Sequence, residues 1–256
     1  MSTSHGRFVW HDLSTTGPDA AQSFYTKVTP WKTQQSEFSD NYTIWVNDGK
    51  PLGGLTTLGN ADQMQGMPPH WLAYVYVYDV DACVRQVPKL GGQVRVGPTE
   101  VPNVGSWAVV RDPQGASIGM YEPETPASSR AAGPPRRGEF SWHELLTTDY
   151  KTAFEFYRAL FQWEKMSEFD MGAMGVYFLY GQKGQTYGGM FNRSPDMPPP
   201  NWLSYVRVDD VKSVAQMVQQ LNGKVMNGPM EVPGGDWIAQ CMDPQGAAFA
   251  LHTPKT

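Results

Sequence analysis

The chain writes one 26-residue segment twice. Gly6 to Trp31 reads GRFVWHDLSTTGPDAAQSFYTKVTPW, and Gly138 to Trp163 reads GEFSWHELLTTDYKTAFEFYRALFQW. Aligned without a gap, the copies agree at Gly6/Gly138, Phe8/Phe140, Trp10/Trp142, His11/His143, Leu13/Leu145, Thr15/Thr147, Thr16/Thr148, Ala21/Ala153, Phe24/Phe156, Tyr25/Tyr157 and Trp31/Trp163, which is 11 of 26 positions. Recurrence at a fixed offset, across a pattern that mixes strand and helix periods, marks an internal duplication. A length of 256 residues is then two ordinary domains rather than one large one.

Each copy opens with an alternating run. Phe8, Trp10 and Asp12 fall on one face of the expected strand, and Val9, His11 and Leu13 on the other. Thr16-Gly17-Pro18 ends that strand and opens a helix with proline at an early position, whose apolar stripe is Ala21, Phe24, Tyr25 and Val28. Three β-like runs follow, the last two separated by Asn47-Asp48-Gly49, a hairpin turn. A second unit of the same order begins at Trp71-Leu72-Ala73-Tyr74. Its helix is capped by Asp79, with Pro88 predicting a distorted last turn, and Asp112-Pro113-Gln114-Gly115 stands before its last strand. The order then repeats: Trp202-Leu203-Ser204-Tyr205 matches Trp71 to Tyr74, and Asp243-Pro244-Gln245-Gly246 matches the earlier DPQG. Pro123 to Arg137, PETPASSRAAGPPRR, has no periodicity and reads as a linker. The expected organisation is a first domain over 1–122, a linker over 123–137 and a second domain over 138–256.

A net charge of −5 with scattered Lys and Arg argues against a nucleic-acid or anionic-membrane partner. Cys83 and Cys241 fall in no metal-type spacing, so they read as small buried apolar groups in a reducing cytoplasm. The N-terminal MSTSHGRF lacks an apolar core, and no later run is long enough to span a bilayer. Nine tryptophans and 12 tyrosines are more aromatic surface than two small cores need, and some of it is expected to line a cavity.

The unit order, together with AxxFY in the first helix, D-x-V after the fifth strand and DPQG before the eighth, resembles the vicinal oxygen chelate superfamily of glyoxalases, bleomycin-resistance proteins and extradiol dioxygenases. The resemblance implies an α+β fold of four βαβββ units, forming two glyoxalase-like domains with open, barrel-like sheets. It also implies a divalent metal held by residues on the first, fifth and eighth strands. Counted onto this chain, those positions fall on Trp10, Leu72 and Gly119 in one half and on Trp142, Leu203 and Ala250 in the other, where no side chain offers the N or O donor a divalent ion needs. No metal or other cofactor is therefore expected, a divalent ion on displaced ligands being the alternative.

His11 and His143 stand beside the lost ligand position, but strand parity turns them to the opposite face, which favours packed histidines over ligands. Two residues on, the inward parity returns. This selects Glu144, Tyr205 and His252 as an acid/base cluster and Asp12, Tyr74 and Tyr121 as their first-half counterparts; solvated rim residues are the plain alternative. Trp10 and Trp142 would replace the metal with an aromatic wall suited to a planar or apolar ligand. Gly53-Gly54 and Gly188-Gly189 leave room for a ligand or for close backbone packing. His70 reads as a loop residue, and Met64, Met67 and Met197 as parts of adaptable flaps.

The expected protein binds a small apolar or aromatic molecule in an aromatic-lined cavity, without the usual metal, and is a monomer because the fused domains replace a homodimer. Its rival is a lyase, isomerase or dioxygenase using Glu144 and His252 or displaced metal ligands. A structural protein with a vestigial cavity is a third class.

Overall fold

The computed structural model describes residues 5–59, 67–125 and 133–255. The first module runs β1 (Phe8–Thr15), α1 (Pro18–Val28), β2 (Lys32–Gln35), β3 (Tyr42–Asn47) and β4 (Lys50–Thr57). The second runs β5 (His70–Tyr76), α2 (Val80–Gln86), β6 (Gln93–Val101), β7 (Gly105–Arg111) and β8 (Ser117–Pro123). The third comprises β9 (Phe140–Thr147), α3 (Tyr150–Phe161), β10 (Glu164–Asp170), β11 (Val176–Gln182) and β12 (Gln185–Asn192), and the fourth β13 (Asn201–Arg207), α4 (Val211–Gln220), β14 (Lys224–Glu231), β15 (Trp237–Met242) and β16 (Ala248–Thr253). Strand order is β2-β3-β4-β1-β5-β8-β7-β6 in one eight-stranded sheet and β10-β11-β12-β9-β13-β16-β15-β14 in the other. Neither sheet closes on itself, and the α+β fold of four βαβββ modules follows.

Local chemistry sets the helix ends. Asp79, Asp149 and Asp210 cap α2, α3 and α4 by accepting backbone N–H bonds, whereas α1 starts from Gly17 with Pro18 in its first turn, a position where the missing N–H costs nothing. Pro88 converts the end of the second helix into a 3-10 turn over Val87–Leu90, closed by Gly91 at φ 82°. His70 departs from its expected loop place: it is the first residue of β5 and half-buried, its Nδ1 2.8 Å from the Pro68 carbonyl. Met64 and the linker centre, 126–132, lie outside the described residues.

Packing groups the modules differently from the sheets. One compact unit comprises Met1–Val9, Ala73–Gly133 and Trp142–Trp202; the other comprises Trp10–Leu72, Pro134–Ser141 and Leu203–Thr256. Each unit thus takes one module from either half of the sequence, and its core forms between them. In the first, Tyr157 and Phe156 of α3 bury with Ile118 and Met120 of β8. In the second, Phe24 and Tyr25 of α1 bury with Phe249 and Leu251 of β16. Each such side chain contributes about 1.5–3 kcal/mol when fully removed from water.

The repeated residues lock these units. Trp163 Nε1 donates to the Gly6 carbonyl at 2.6 Å in the first unit, and Trp31 Nε1 to the Gly138 carbonyl at 2.6 Å in the second. Both glycines have positive φ, 85° and 79°, and a Cβ there would come within 2.4 Å of the Phe161 carbonyl or 2.5 Å of Pro30. The last residue of each copy therefore clamps the first residue of the other. Tyr157 donates to Asp112 Oδ2 at 2.9 Å and accepts from Trp202 Nε1 at 3.0 Å; Tyr25, Asp243 and Trp71 repeat the arrangement at 3.0 and 2.8 Å. The other oxygen of each aspartate accepts three backbone N–H groups of its own DPQG turn.

Candidate functional site

His11 and His143 are buried and stacked on aromatic rings. His143 is 6% exposed and stacks on Phe8, with ring centroids 3.6 Å apart and 3° between planes; His11 is 4% exposed and stacks on Phe140 at 3.5 Å and 16°. Burial lowers the His143 pKa to about 3, a backbone hydrogen bond at Tyr187 offsetting part of that. Phe8, Trp10 and Asp12 are all half-buried while His11 and Leu13 are buried, as the alternation predicts. Phe8 packs against the core of its own compact unit, and His11 lies in the other.

Trp10 bonds directly to the acid on its own strand, and Trp142 is linked to its acid through a tyrosine. In one unit Trp10 Nε1 donates to Asp12 Oδ1 at 2.7 Å and lies 2.8 Å from the Tyr42 hydroxyl, which itself donates to Asp12 Oδ1 at 2.6 Å. In the other, Trp142 Nε1 donates to the Tyr177 hydroxyl at 3.0 Å, and Tyr177 donates to Glu144 Oε2 at 2.7 Å. Donation to a carboxylate makes the Trp10–Asp12, Tyr42–Asp12 and Tyr177–Glu144 bonds the stronger class of hydrogen bond. Two positions along β1 or β9 place the indole and the acid on one face, and the third strand of the module supplies the tyrosine. Sequence reading found Trp10, Asp12, Trp142 and Glu144 but missed Tyr42 and Tyr177, because nothing local links β3 to β1 or β11 to β9 before the sheet forms.

The paired glycines have divided tasks. A Cβ on Gly53 would meet the His11 carbonyl at 2.2 Å, and one on Gly188 the His143 carbonyl at 1.8 Å, so these accommodate the neighbouring parallel strand. A Cβ on Gly54 would strike the Tyr42 hydroxyl at 1.9 Å, and one on Gly189 the Tyr177 ring at 2.3 Å. The second glycine of each pair is thus the seat of the tyrosine that holds the acid.

Tyr74 is 8% exposed, packs edge-on against Trp107 at 6.4 Å and occupies the space over Gly119, where a Cβ would come within 2.2 Å of its ring. Tyr205 is 2% exposed, aligned with Ala250 in the parallel β13–β16 pair, and accepts from Gln240 Nε2 at 3.0 Å. Tyr121 donates to the Val104 carbonyl at 2.7 Å, a bond that closes the β6–β7 turn. His252 lies between Ser141, whose Oγ is 2.8 Å from Nδ1, and Asp236, whose Oδ2 is 3.0 Å from Nε2. Glu144 belongs to one compact unit, and Tyr205 and His252 to the other.

Trp107 and Trp237 do not occupy equivalent places in the two halves but are one register step apart. Trp107 stands opposite Tyr121, whereas Ile238 stands opposite His252, the counterpart of Tyr121, and Trp237 opposite Thr253. A one-residue slip reverses the face, and Trp237 accordingly lies under Lys212 of α4, 3.7 Å from its ammonium. Nor is the proline-rich loop around Met197 a loose flap. The Arg193 guanidinium donates to the carbonyls of Pro198 at 2.7 Å, of Pro195 at 3.0 Å and of Met197.

Among the described residues no group of three or more His, Cys, Asp or Glu side chains could hold a metal ion, and no helix is long and apolar enough to cross a membrane. Cys83 and Cys241 are buried thiols, pushed up to about 11 and about 12 by burial. Two surface clefts, of about 420 and 410 Å³, are bordered by Lys32, Lys50, Arg136 and Arg137 and by Lys212 and Pro229. Neither touches the tryptophan–acid–tyrosine clusters.

Four βαβββ modules in two open sheets, with an aromatic and an acid side by side on the leading strand of each half, define a tandem-module protein of the glyoxalase type. The chain belongs to the Glyoxalase/Bleomycin resistance protein/Dioxygenase superfamily, whose family model matches residues 7–120 and 140–251. Among its relatives, a proposed glyoxylase of Mycobacterium tuberculosis (strain CDC 1551 / Oshkosh), CFP32, is 29% identical over 250 residues, 96% of this chain and 94% of the relative. The anthracycline biosynthesis protein DauV of Streptomyces sp. (strain C5) is 28% identical over 260 residues, 96% and 92% of the two chains. The fold is shared with the Mn(II)-bound glyoxalase from Novosphingobium aromaticivorans, at a TM-score of 0.67 and 14% identity over 99% of this chain and 83% of that one. It is shared also with homoprotocatechuate 2,3-dioxygenase from Brevibacterium fuscum, at 0.70 and 12% over 100% and 82%.

Proposed function

We propose that this protein binds a small planar or aromatic molecule against the Trp10–Asp12–Tyr42 and Trp142–Glu144–Tyr177 clusters, without the divalent metal used elsewhere in the superfamily. The reading rests on one observation: the side chain at the expected first-strand ligand position in each half is an indole fixed by hydrogen bonding to its own cluster. The remaining expected positions, Leu72, Leu203, Gly119 and Ala250, bring no donor atoms, and Tyr74 fills the space over Gly119. An anchored indole offers a rigid aromatic face at low entropic cost. The anthracycline biosynthesis name of two relatives agrees with such a ligand, since anthracyclines are planar fused-ring aromatics. We place the protein in the cytoplasm as a monomer that sequesters or presents its ligand.

The test is tryptophan fluorescence titrated with planar polycyclic aromatics, beside metal analysis of the purified protein. Saturable quenching weakened about tenfold or more by Trp10→Leu or Trp142→Leu is expected, with no stoichiometric divalent ion. A bound stoichiometric ion lost in Glu144→Ala, or indifference to every aromatic offered, sinks the reading. Proton-transfer chemistry at Glu144 is the second reading, favoured by a carboxylate only 8% exposed beside a tyrosine donor, an environment typical of functional acids. It predicts that Glu144→Gln abolishes turnover while leaving ligand quenching intact.

A further inference from the structure

Independently of the aromatic clusters, the second compact unit carries a polar constellation that the fold does not require. Ser141 of β9, His252 of β16 and Asp236 at the entry to β15 form a chain, Ser141 Oγ 2.8 Å from His252 Nδ1 and His252 Nε2 3.0 Å from Asp236 Oδ2. Asp236 is fixed in turn, its Oδ1 accepting the Lys255 N–H at 2.9 Å. Although burial works against it, the Lys255 N–H and His252 hold its carboxyl below the usual carboxylate range, so it is an acceptor. In the neutral ring with its proton on Nε2, facing Asp236, Nδ1 accepts from the Ser141 hydroxyl, which also lies 3.3 Å from the Tyr205 carbonyl. His252 is 14% and Asp236 41% exposed at the side chain, and Ser141 is half-buried, so the chain reaches solvent.

The duplication supplies the control. Counting from the two DPQG turns and the two copies of the leading strand, the first-half counterparts are Val9, Gly105 and Tyr121. Val9 and Gly105 bring no polar side chain and Tyr121 is neither an imidazole nor a carboxylate; its hydroxyl ties that strand end to Val104 instead. A strand-end tie can therefore be made without the trio. A hydroxyl within hydrogen-bond reach of a base that a third group orients is the signature of an activated nucleophile.

We propose that Ser141, with His252 as its general base and Asp236 as a positioning residue, is an acyl-accepting nucleophile for activated esters. In the first step Ser141 Oγ bonds to the ester carbonyl carbon as its proton passes to His252 Nδ1. The carbon–alkoxy bond then breaks, and the leaving alcohol takes that proton. In the second step water adds to the acyl carbon, giving a proton to Nδ1, and the acyl–Oγ bond breaks as Oγ recovers the proton. An alcohol and a carboxylic acid are released, with no change of oxidation state.

The experiment is full-length protein with p-nitrophenyl acetate, followed by p-nitrophenolate release and by mass analysis of peptides. The expected result is an acetyl adduct on the Ser141 peptide. It should be absent in Ser141→Ala, retained as a thioester in Ser141→Cys and formed about a hundredfold more slowly in His252→Gln. Asp236→Asn should change the pH profile of acylation, a readout that a merely structural tie would leave unmoved. Release at the same rate in wild type and a folded Ser141→Ala, or an adduct confined to another residue, overturns the proposal. Should Ser141→Ala fail to fold, absence of adduct from both wild type and Ser141→Cys overturns it equally.

Discussion

The Tyr157 hydroxyl donates to Asp112 Oδ2 at 2.9 Å, joining the helix of the third module to the DPQG turn of the second. The bond is buried, Tyr157 being 0% and Asp112 3% exposed, and it explains why AxxFY and DPQG recur together: each supplies half of one contact. Tyr157→Phe leaves Asp112 Oδ2 and Trp202 Nε1 without this partner and should cost about 1–3 kcal/mol. Asp112→Ala also strips the acceptor from three turn amides and should cost about 3 kcal/mol or more. Urea midpoints measure both, and Tyr25→Phe should reproduce the first result in the other unit. A surface-like cost below about 0.5 kcal/mol for Asp112→Ala would refute this account.

Acid should weaken the fold through His143. Its ring is buried against Phe8 with the Tyr180 hydroxyl on its own carbonyl, and its folded pKa of about 3 lies below the ordinary 6.5. The unfolded chain therefore binds the proton first. Stability present above pH 6.5 is lost as pH falls towards 3, at roughly 1.4 kcal/mol per pH unit. Asp112 and Asp243 act the other way: burial raises their folded values, so their contribution is present below the ordinary aspartate range and lost as pH rises through the raised values. Both aspartates are present in wild type and in His143→Phe, so between pH 6.5 and 5 wild type should lose about 2 kcal/mol more than His143→Phe. Equal losses in urea titrations of the two proteins would remove His143 from the account.

The architecture was legible because duplication wrote it twice, and the physical reasons now attach to single residues. Gly6, Phe8, His11, Phe24, Tyr25 and Trp31, with their second copies, recur because each makes a contact inside a compact unit. Parity placed the histidines in the core, but not the ring that each stacks on, since Phe8 and Phe140 come from the other half of the sequence. The one-residue register shift between Trp107 and Trp237 is likewise invisible in the sequence and appears only in their pairing with β8 and β16. His252 was selected by parity along β16, yet Ser141 and Asp236 were not, because their relation to it exists only once β9 and the β14–β15 turn stand beside it. Tyr42 and Tyr177 were hidden in the same way, and their seats, Gly54 and Gly189, were visible only as missing side chains.

Those seats give the sharpest test of the aromatic clusters. In Gly54→Ala the new Cβ meets the far end of Tyr42 at 1.9 Å, so the ring can swing away, surrendering its bonds to Asp12 and Trp10. Gly189→Ala does the same to Tyr177 and so to Glu144. Gly53→Ala drives its Cβ against the His11 carbonyl at 2.2 Å, a strand backbone that has no rotamer to yield. The two kinds of substitution should therefore separate two properties. Gly53→Ala should lower stability by about 2 kcal/mol, with ligand quenching kept in the folded fraction. Gly54→Ala and Gly189→Ala should lower stability less while weakening the quenching assigned to Trp10 and Trp142, as read by urea melts and fluorescence titration on the same samples. If Gly54→Ala leaves aromatic quenching untouched while Trp10→Leu abolishes it, the tyrosine is not what orients the indole, and the cluster is three neighbours rather than one device.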